Sequence, residues 1–134
     1  MVSRFGLSTL VAYLVVIWLA MDDDVSPMQQ HNQVDIVSVS RDGKTFVLSL
    51  VDTRAWDEKG QNILDMQKKI KNYLHYVESG RFYQQYPEAK GKMVRFRLHT
   101  EYPPDAQTEH FIHLVKETWL LPALIEWETS LLTK

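Results

Sequence analysis

Six side chains able to hold a metal ion gather in one stretch of the chain: His99, Glu101, Glu109, His110, His113 and Glu117. Glu109, His113 and Glu117 follow one another at four-residue steps, which on a helix places all three on one side. The zinc-binding order His-Glu-x-x-His is missing, however, and His110 and His113 lie three residues apart instead of four. The stretch therefore reads as a solvated helix face with charge pairing, and neither a metal nor another cofactor is expected. General acid–base catalysis needs two titratable groups positioned in a cleft. Asp52, Asp57, Glu58, Glu78, Glu88, Glu126 and Glu128 all qualify by type, but no spacing singles out a pair. The alternating Glu126 and Glu128 suit cross-strand pairing with Arg95 and Arg97. The chain has no Gly-x-Ser-x-Gly elbow, no phosphate-cradling glycine loop and no dinucleotide fingerprint, and its 5 glycines are scattered. With 0 cysteines, a thiolate nucleophile, a disulfide framework and Cys-ligated zinc are excluded. No catalytic residue is assigned.

Interface chemistry is better represented. Phe82, Tyr83 and Tyr86 lie beside Arg81, a composition enriched at protein interfaces. The competing explanation is a long loop that tucks its aromatics beneath itself. Arg95, Arg97 and His99 alternate with Val94, Phe96 and Leu98, so a strand here would carry all three polar residues on one face. The candidate partner-binding residues are thus Arg81, Tyr83, Tyr86, Arg95, Arg97 and His99. Trp56, soon after the second strand, is either a plug over the sheet end or, with Asp52, one wall of a small pocket.

The elements that must position these residues follow from hydrophobic period. Val34 to Ser40 and Thr45 to Val51 are β-branched and apolar runs joined by Arg41-Asp42-Gly43-Lys44, and an Asp-Gly pair between such runs signals a hairpin. Phe46, Leu48 and Leu50 share one strand face. From Asn62 to Ser79, Ile63, Met66, Ile70, Tyr73 and Val77 recur at helical steps with Leu64 and Leu74 widening the stripe, and Gly80 stops the helix. Lys68, Lys69 and Lys71 are expected away from that stripe. Arg81 to Gly91 reads as a loop and Lys92 to Thr100 as a half-buried strand. Asp105 is a suitable N-cap for a second helix with Phe111, Leu114, Val115 and Thr118 inside, broken by Pro122. Ala123 to Thr129 forms a last extended run. The order ββαβαβ gives an α+β, two-layer domain: a four-stranded mixed sheet with two helices packed on one face. Arg95, Arg97 and His99 would lie on its open face. Strand order stays undetermined, because the Gly80 to Gly91 connection is long enough to reverse the third strand.

Composition sets the limits around this domain. A 134-residue chain with 45% hydrophobic and 24% charged residues builds one globular core. Its net charge of -2 argues against nucleic acid as a partner. Residues 6–20 are uncharged and apolar, preceded by Arg4 and followed by Asp22, Asp23 and Asp24, the arrangement of a targeting or anchoring segment. An equal alternative is an upstream start, with Met21 or Met28 as the true first residue and a cytoplasmic product. Otherwise the protein is exported or anchored in the inner membrane, and contact with a membrane is expected only through residues 6–20. The division is residues 1–20 as an apolar segment, 21–33 as a flexible linker and 34–134 as one α/β domain.

Several segments resemble a bacterial family of small domains of unknown function. They are Val34-Asp35, the hairpin ending in Asp52 with Trp56 soon after, Gln67 to Leu74, Glu78-Ser79-Gly80, and Tyr86-Pro87-Glu88-Ala89-Lys90-Gly91. The resemblance covers Val34 to Thr129 and implies a compact α/β fold without supplying catalytic residues. The functional expectation is a non-catalytic protein-binding or regulatory module with an unknown protein partner, acting through the Arg95–His99 face or the Arg81–Tyr86 loop. The alternative is a small enzyme or ligand-binding protein with a pocket near Asp52 and Trp56.

Overall fold

The computed structural model describes residues 3–5, 27–31 and 33–132. The apolar segment 6–20 lies outside the described residues. Among those described, no helix is long and apolar enough to cross a membrane. The elements are β1 (Ser3–Phe5), a 3-10 turn (Pro27–Gln29), β2 (Ile36–Val39), β3 (Thr45–Asp52), α1 (Gln61–Glu78), α2 (Arg81–Gln85), a second 3-10 turn (Pro87–Ala89), β4 (Met93–Thr100), α3 (Ala106–Val115), a wide helical turn (Lys116–Leu120) and β5 (Ile125–Leu131). The four expected strands form a mixed sheet, and β1 adds a short fifth at the outer edge of β2.

The hairpin closes where the Asp-Gly pair predicts. Gly43 adopts φ 73, the Asp42 carboxylate accepts from the Ser40 hydroxyl at 2.7 Å and the Lys44 amide at 3.0 Å, and Val39 pairs with Phe46. β3, β4 and β5 run parallel in sequence order. Two successive right-handed crossovers in one direction put both main helices on the same face. The 80–91 segment therefore does not reverse the third strand.

Under the helices, Phe46, Leu48, Leu50, Val94, Phe96 and Leu98 join Met66, Ile70, Tyr73, Val77, Ile112 and Val115 in one core, with Phe111 at its margin. Each fully buried side chain of this size contributes about 1.5–3 kcal/mol. The stripe of α3 departs from the sequence reading: Thr108, Ile112 and Val115 face inward, Leu114 is half exposed and Thr118 is exposed. Asp105 does cap this helix, accepting from the Thr108 amide at 2.8 Å. The helix widens into the Lys116–Leu120 turn before Pro122, so the last strand starts at Ile125 and not at Ala123.

Two further expectations change. Pro27–His31, read as linker, belongs to the packed domain, because Met28 is completely buried against the core. Lys69, expected at the surface, is also completely buried: its ammonium donates to the Pro27 carbonyl (2.6 Å), the Gln30 carbonyl (2.8 Å) and Asp35 (2.9 Å). Next to it, the Tyr73 hydroxyl accepts from the Asp35 amide at 3.0 Å and donates to the Ser49 carbonyl. A helical lysine thus clamps the chain entering the domain.

Candidate functional site

The segment between α1 and β4 is built by two left-handed glycines, Gly80 at φ 87 and Gly91 at φ 78. Between them the chain makes the short helix α2 and, at Pro87, a 3-10 turn. This arrangement divides the aromatic cluster. Phe82 is fully buried, with its ring centroid 6.0 Å from Phe46, 5.7 Å from Tyr76 and 5.6 Å from Tyr86. Tyr86 is only 2% exposed, so it supports the loop from inside and presents nothing to a partner. Tyr83, 5.0 Å from Phe82, keeps one side open. The exposed Arg81 lies 5.6 Å above the Tyr76 ring, held by its attraction to the π face. Gly80, Tyr83, Gln84, Lys90 and Gly91 line a shallow depression of about 410 Å³.

The second predicted surface is largely closed. Arg95 meets Glu126 at 3.0 Å and Glu128 at 3.6 Å, and Arg97 pairs with Glu128, as their register on β4 and β5 requires. His99 on the same face is 5% exposed. Burial, aided by the nearby Arg97 charge, pushes the His99 pKa down to about 4, so the ring is neutral near pH 7. Ile36, Val47 and Val51, which share this face, are buried too. The expectation of an open face from period-two alternation in β4 therefore holds only at the β5 rim. The near-continuous apolar run of β3 is the pattern of a strand buried on both sides, and this is the signal that alternation in β4 alone concealed.

At the carboxyl end of β3, in the region where α/β sheets commonly form sites, the ionisable groups are bound to one another. Asp52 is fully buried, and both its oxygens receive Arg54, at 2.9 and 3.0 Å. Arg54 reaches on to Asp65 at 2.8 Å, and His31 meets the same carboxylate at 2.9 Å. Burial opposes ionisation of Asp65, but its bonds from Arg54, His31 and Gln61 together hold its pKa below the ordinary range. Trp56 donates its ring N–H to the Pro103 carbonyl at 2.7 Å, closing the sheet end. Asp52 and Trp56 are thus both engaged within the fold, with Arg54 bonded to both carboxylate oxygens of Asp52.

His113 of α3 and Glu117 of the wide turn that follows form an exposed pair at 3.3 Å. Among the described residues no three His, Asp or Glu side chains are grouped to hold a metal ion. The buried Asp35–Lys69 pair is what sequence reasoning missed. Lys69 lies three residues after Met66 and four before Tyr73, at the margin of the apolar stripe, so its position was partly legible although its charge argued for the surface.

The family model for a family of unknown function (DUF6572) matches residues 26–128, and the chain belongs to that family. The match begins one residue before the Pro27–Gln29 turn, in keeping with the burial of Met28. No curated protein and no solved structure matches the chain.

Proposed function

From membership in a family with no assigned reaction, we propose that this domain is a non-catalytic protein-binding module whose docking surface is the depression between α2 and the Lys90–Gly91 turn. The observation that carries this reading is an open hollow of about 410 Å³ lined by the half-open Tyr83 and the exposed Lys90, with the exposed Arg81 next in the chain to the lining Gly80. Tyrosine and arginine bring large, amphipathic contact area at modest entropic cost. An open hollow with few walls suits a protein segment better than an enclosed small molecule. The partner chemistry that fits is a segment with acidic side chains for Arg81 and Lys90 and an apolar group for the Tyr83 ring.

At the end of β3 and beneath α1 the buried ionisable groups are committed to the fold. Asp52, Arg54, Asp65 and Lys69 each spend their hydrogen-bonding capacity inside the fold. Arg95 and Arg97 are unsuited to a clean test, because reversing their charge sets acids opposite Glu126 and Glu128. The test is capture by the tagged full chain from the native cell, compared with Tyr83→Ala and Lys90→Glu variants whose circular dichroism matches the parent. A specific partner lost by both variants supports the reading. A partner list unchanged by both, or a parent chain that captures nothing above background, overturns it.

A further inference from the structure

We infer that the outer edge of β5 is a self-association surface, on which a second copy of this chain pairs antiparallel about Thr129 to continue the sheet across a two-fold axis. Among the described residues, β5 has β4 as its neighbour on one side and no strand on the other. The Leu132 amide donates to the Thr100 carbonyl at 2.8 Å. Amide and carbonyl of one strand residue point to the same side and alternate along the strand. Ser130, Glu128 and Glu126 therefore direct their backbone groups toward β4, whereas Trp127, Thr129 and Leu131 direct theirs outward.

Edge strands are usually guarded by proline, lysine, a bulge or an unneutralised charge. Residues 125–131 contain no proline, glycine or lysine. The two acids on the strand are paired within their own sheet, Glu126 with Arg95 at 3.0 Å and Glu128 with Arg97, which weakens their guard of the edge without removing their charge. The edge also carries apolar surface, with Leu131 48% exposed and the turn leading into it presenting Leu124 at 81%.

Charge selects the occupant and the register. An antiparallel pairing of two copies centred on Trp127 sets Glu126 opposite Glu128, and one centred on Glu128 sets that acid against itself. Centring on Thr129 sets Glu128 opposite Ser130 and Trp127 opposite Leu131, with Thr129 facing its own copy. Like charges then avoid each other, the two large apolar side chains meet on the helix-bearing face, and the outward groups of residues 127, 129 and 131 form about six hydrogen bonds. The same patch serves both subunits, as a closed two-fold interface requires. This edge is separate from the 80–91 depression, so either reading can fail alone.

Sedimentation equilibrium of the full chain from about 1 to 100 μM tests the pairing. The chain has a mass of 15.7 kDa, and a species of twice that mass is expected at the upper concentrations. Thr129→Pro removes an outward amide and leaves the bonds to β4 intact, so it should yield a folded monomer. Ser130→Glu should raise the dissociation constant about tenfold through two symmetric repulsions with Glu128, and Ser130→Lys should lower it by a similar factor. These two variants keep the test decisive if the proline variant does not fold. A chain monomeric at 100 μM, or a dimer that Ser130→Glu and Ser130→Lys shift equally, overturns the inference. A monomer whose β5 amides gain protection from hydrogen exchange only in cell extract would assign the edge to an extended segment of another protein and equally overturn it.

Discussion

Replacing Lys69 by methionine should destabilise the domain by about 3–5 kcal/mol, the cost of removing one partner from a buried ion pair. Methionine keeps most of the volume, so the loss comes from electrostatics and not from a cavity. The Lys69 side chain is 0% exposed and that of Asp35 1%, so water cannot replace the missing ammonium. Two backbone carbonyls, of Pro27 and Gln30, lose a donor at the same time, and each buried acceptor left unmade costs about 1–3 kcal/mol. Against a total stability of about 5–15 kcal/mol for such a domain, this is a large fraction, and the melting temperature should fall by about 10–20 °C.

The pH dependence distinguishes this mechanism from generic damage. Burial already pushes the Asp35 pKa up to about 6, although Lys69 pulls it down by attraction and by hydrogen bonding. Without Lys69 the native carboxyl rises further above its unfolded value, so the native state binds the extra proton. Stability then increases as pH falls toward the unfolded pKa. Urea unfolding followed by tryptophan fluorescence should therefore show a larger penalty for Lys69→Met at pH 8 than at pH 5. Adding Asp35→Leu should recover part of the pH 8 loss by removing the uncompensated carboxylate. A penalty under about 1 kcal/mol, or one equal at both pH values, would refute the argument that a buried charge pair fastens the entering chain.

Two more outcomes follow from the same structure. His99 has its native pKa lowered to about 4 from an ordinary 6.5, first by burial and then by Arg97; its contribution is complete above about 6.5 and is lost as pH falls through about 4. Relative to a His99→Gln variant, the parent chain should lose about 3 kcal/mol between pH 7 and pH 4 in urea titrations, and a pH-independent difference would refute the burial of that ring. Leu124 holds φ 58 while 81% exposed, so Leu124→Gly should raise stability by about 0.5–1 kcal/mol by relieving left-handed strain. A lower melting temperature in that variant would mean that the leucine packs against something.

The sequence made the frame readable wherever one period dominated. The Asp-Gly hairpin, the Gly80 stop and the Asp105 cap each rest on local chemistry, and each appears where that chemistry puts it. What stayed hidden depends on contacts between distant segments. Met28 and Lys69 are far apart in sequence, and only the meeting of the Pro27–Gln29 turn with α1 makes a buried lysine acceptable. Tyr86 and Tyr83 are equivalent by composition, and the left-handed turns at Gly80 and Gly91 decide that one faces inward and the other outward. The polar alternation of β4 was read correctly, but whether that face is open depends on β2 and β3, where Ile36, Val47 and Val51 are buried.

The placement of charge also constrains where function can reside. An ionisable group acts on a substrate only if its protonation and its hydrogen bonds remain available to the substrate. In this domain the strongest candidates are used twice over by the fold: Arg54 bridges two carboxylates, and Lys69 holds two carbonyls and a third carboxylate. Taking any of them for chemistry would release another buried group at a cost that is a large fraction of the stability of the whole domain. Selection for activity would have to rebuild the sheet ends before it could use them. The 80–91 depression and the β5 edge carry no such debt, since Tyr83, Lys90 and the outward amides of β5 are not required to satisfy anything buried, so binding can be gained or tuned there without unfolding the frame.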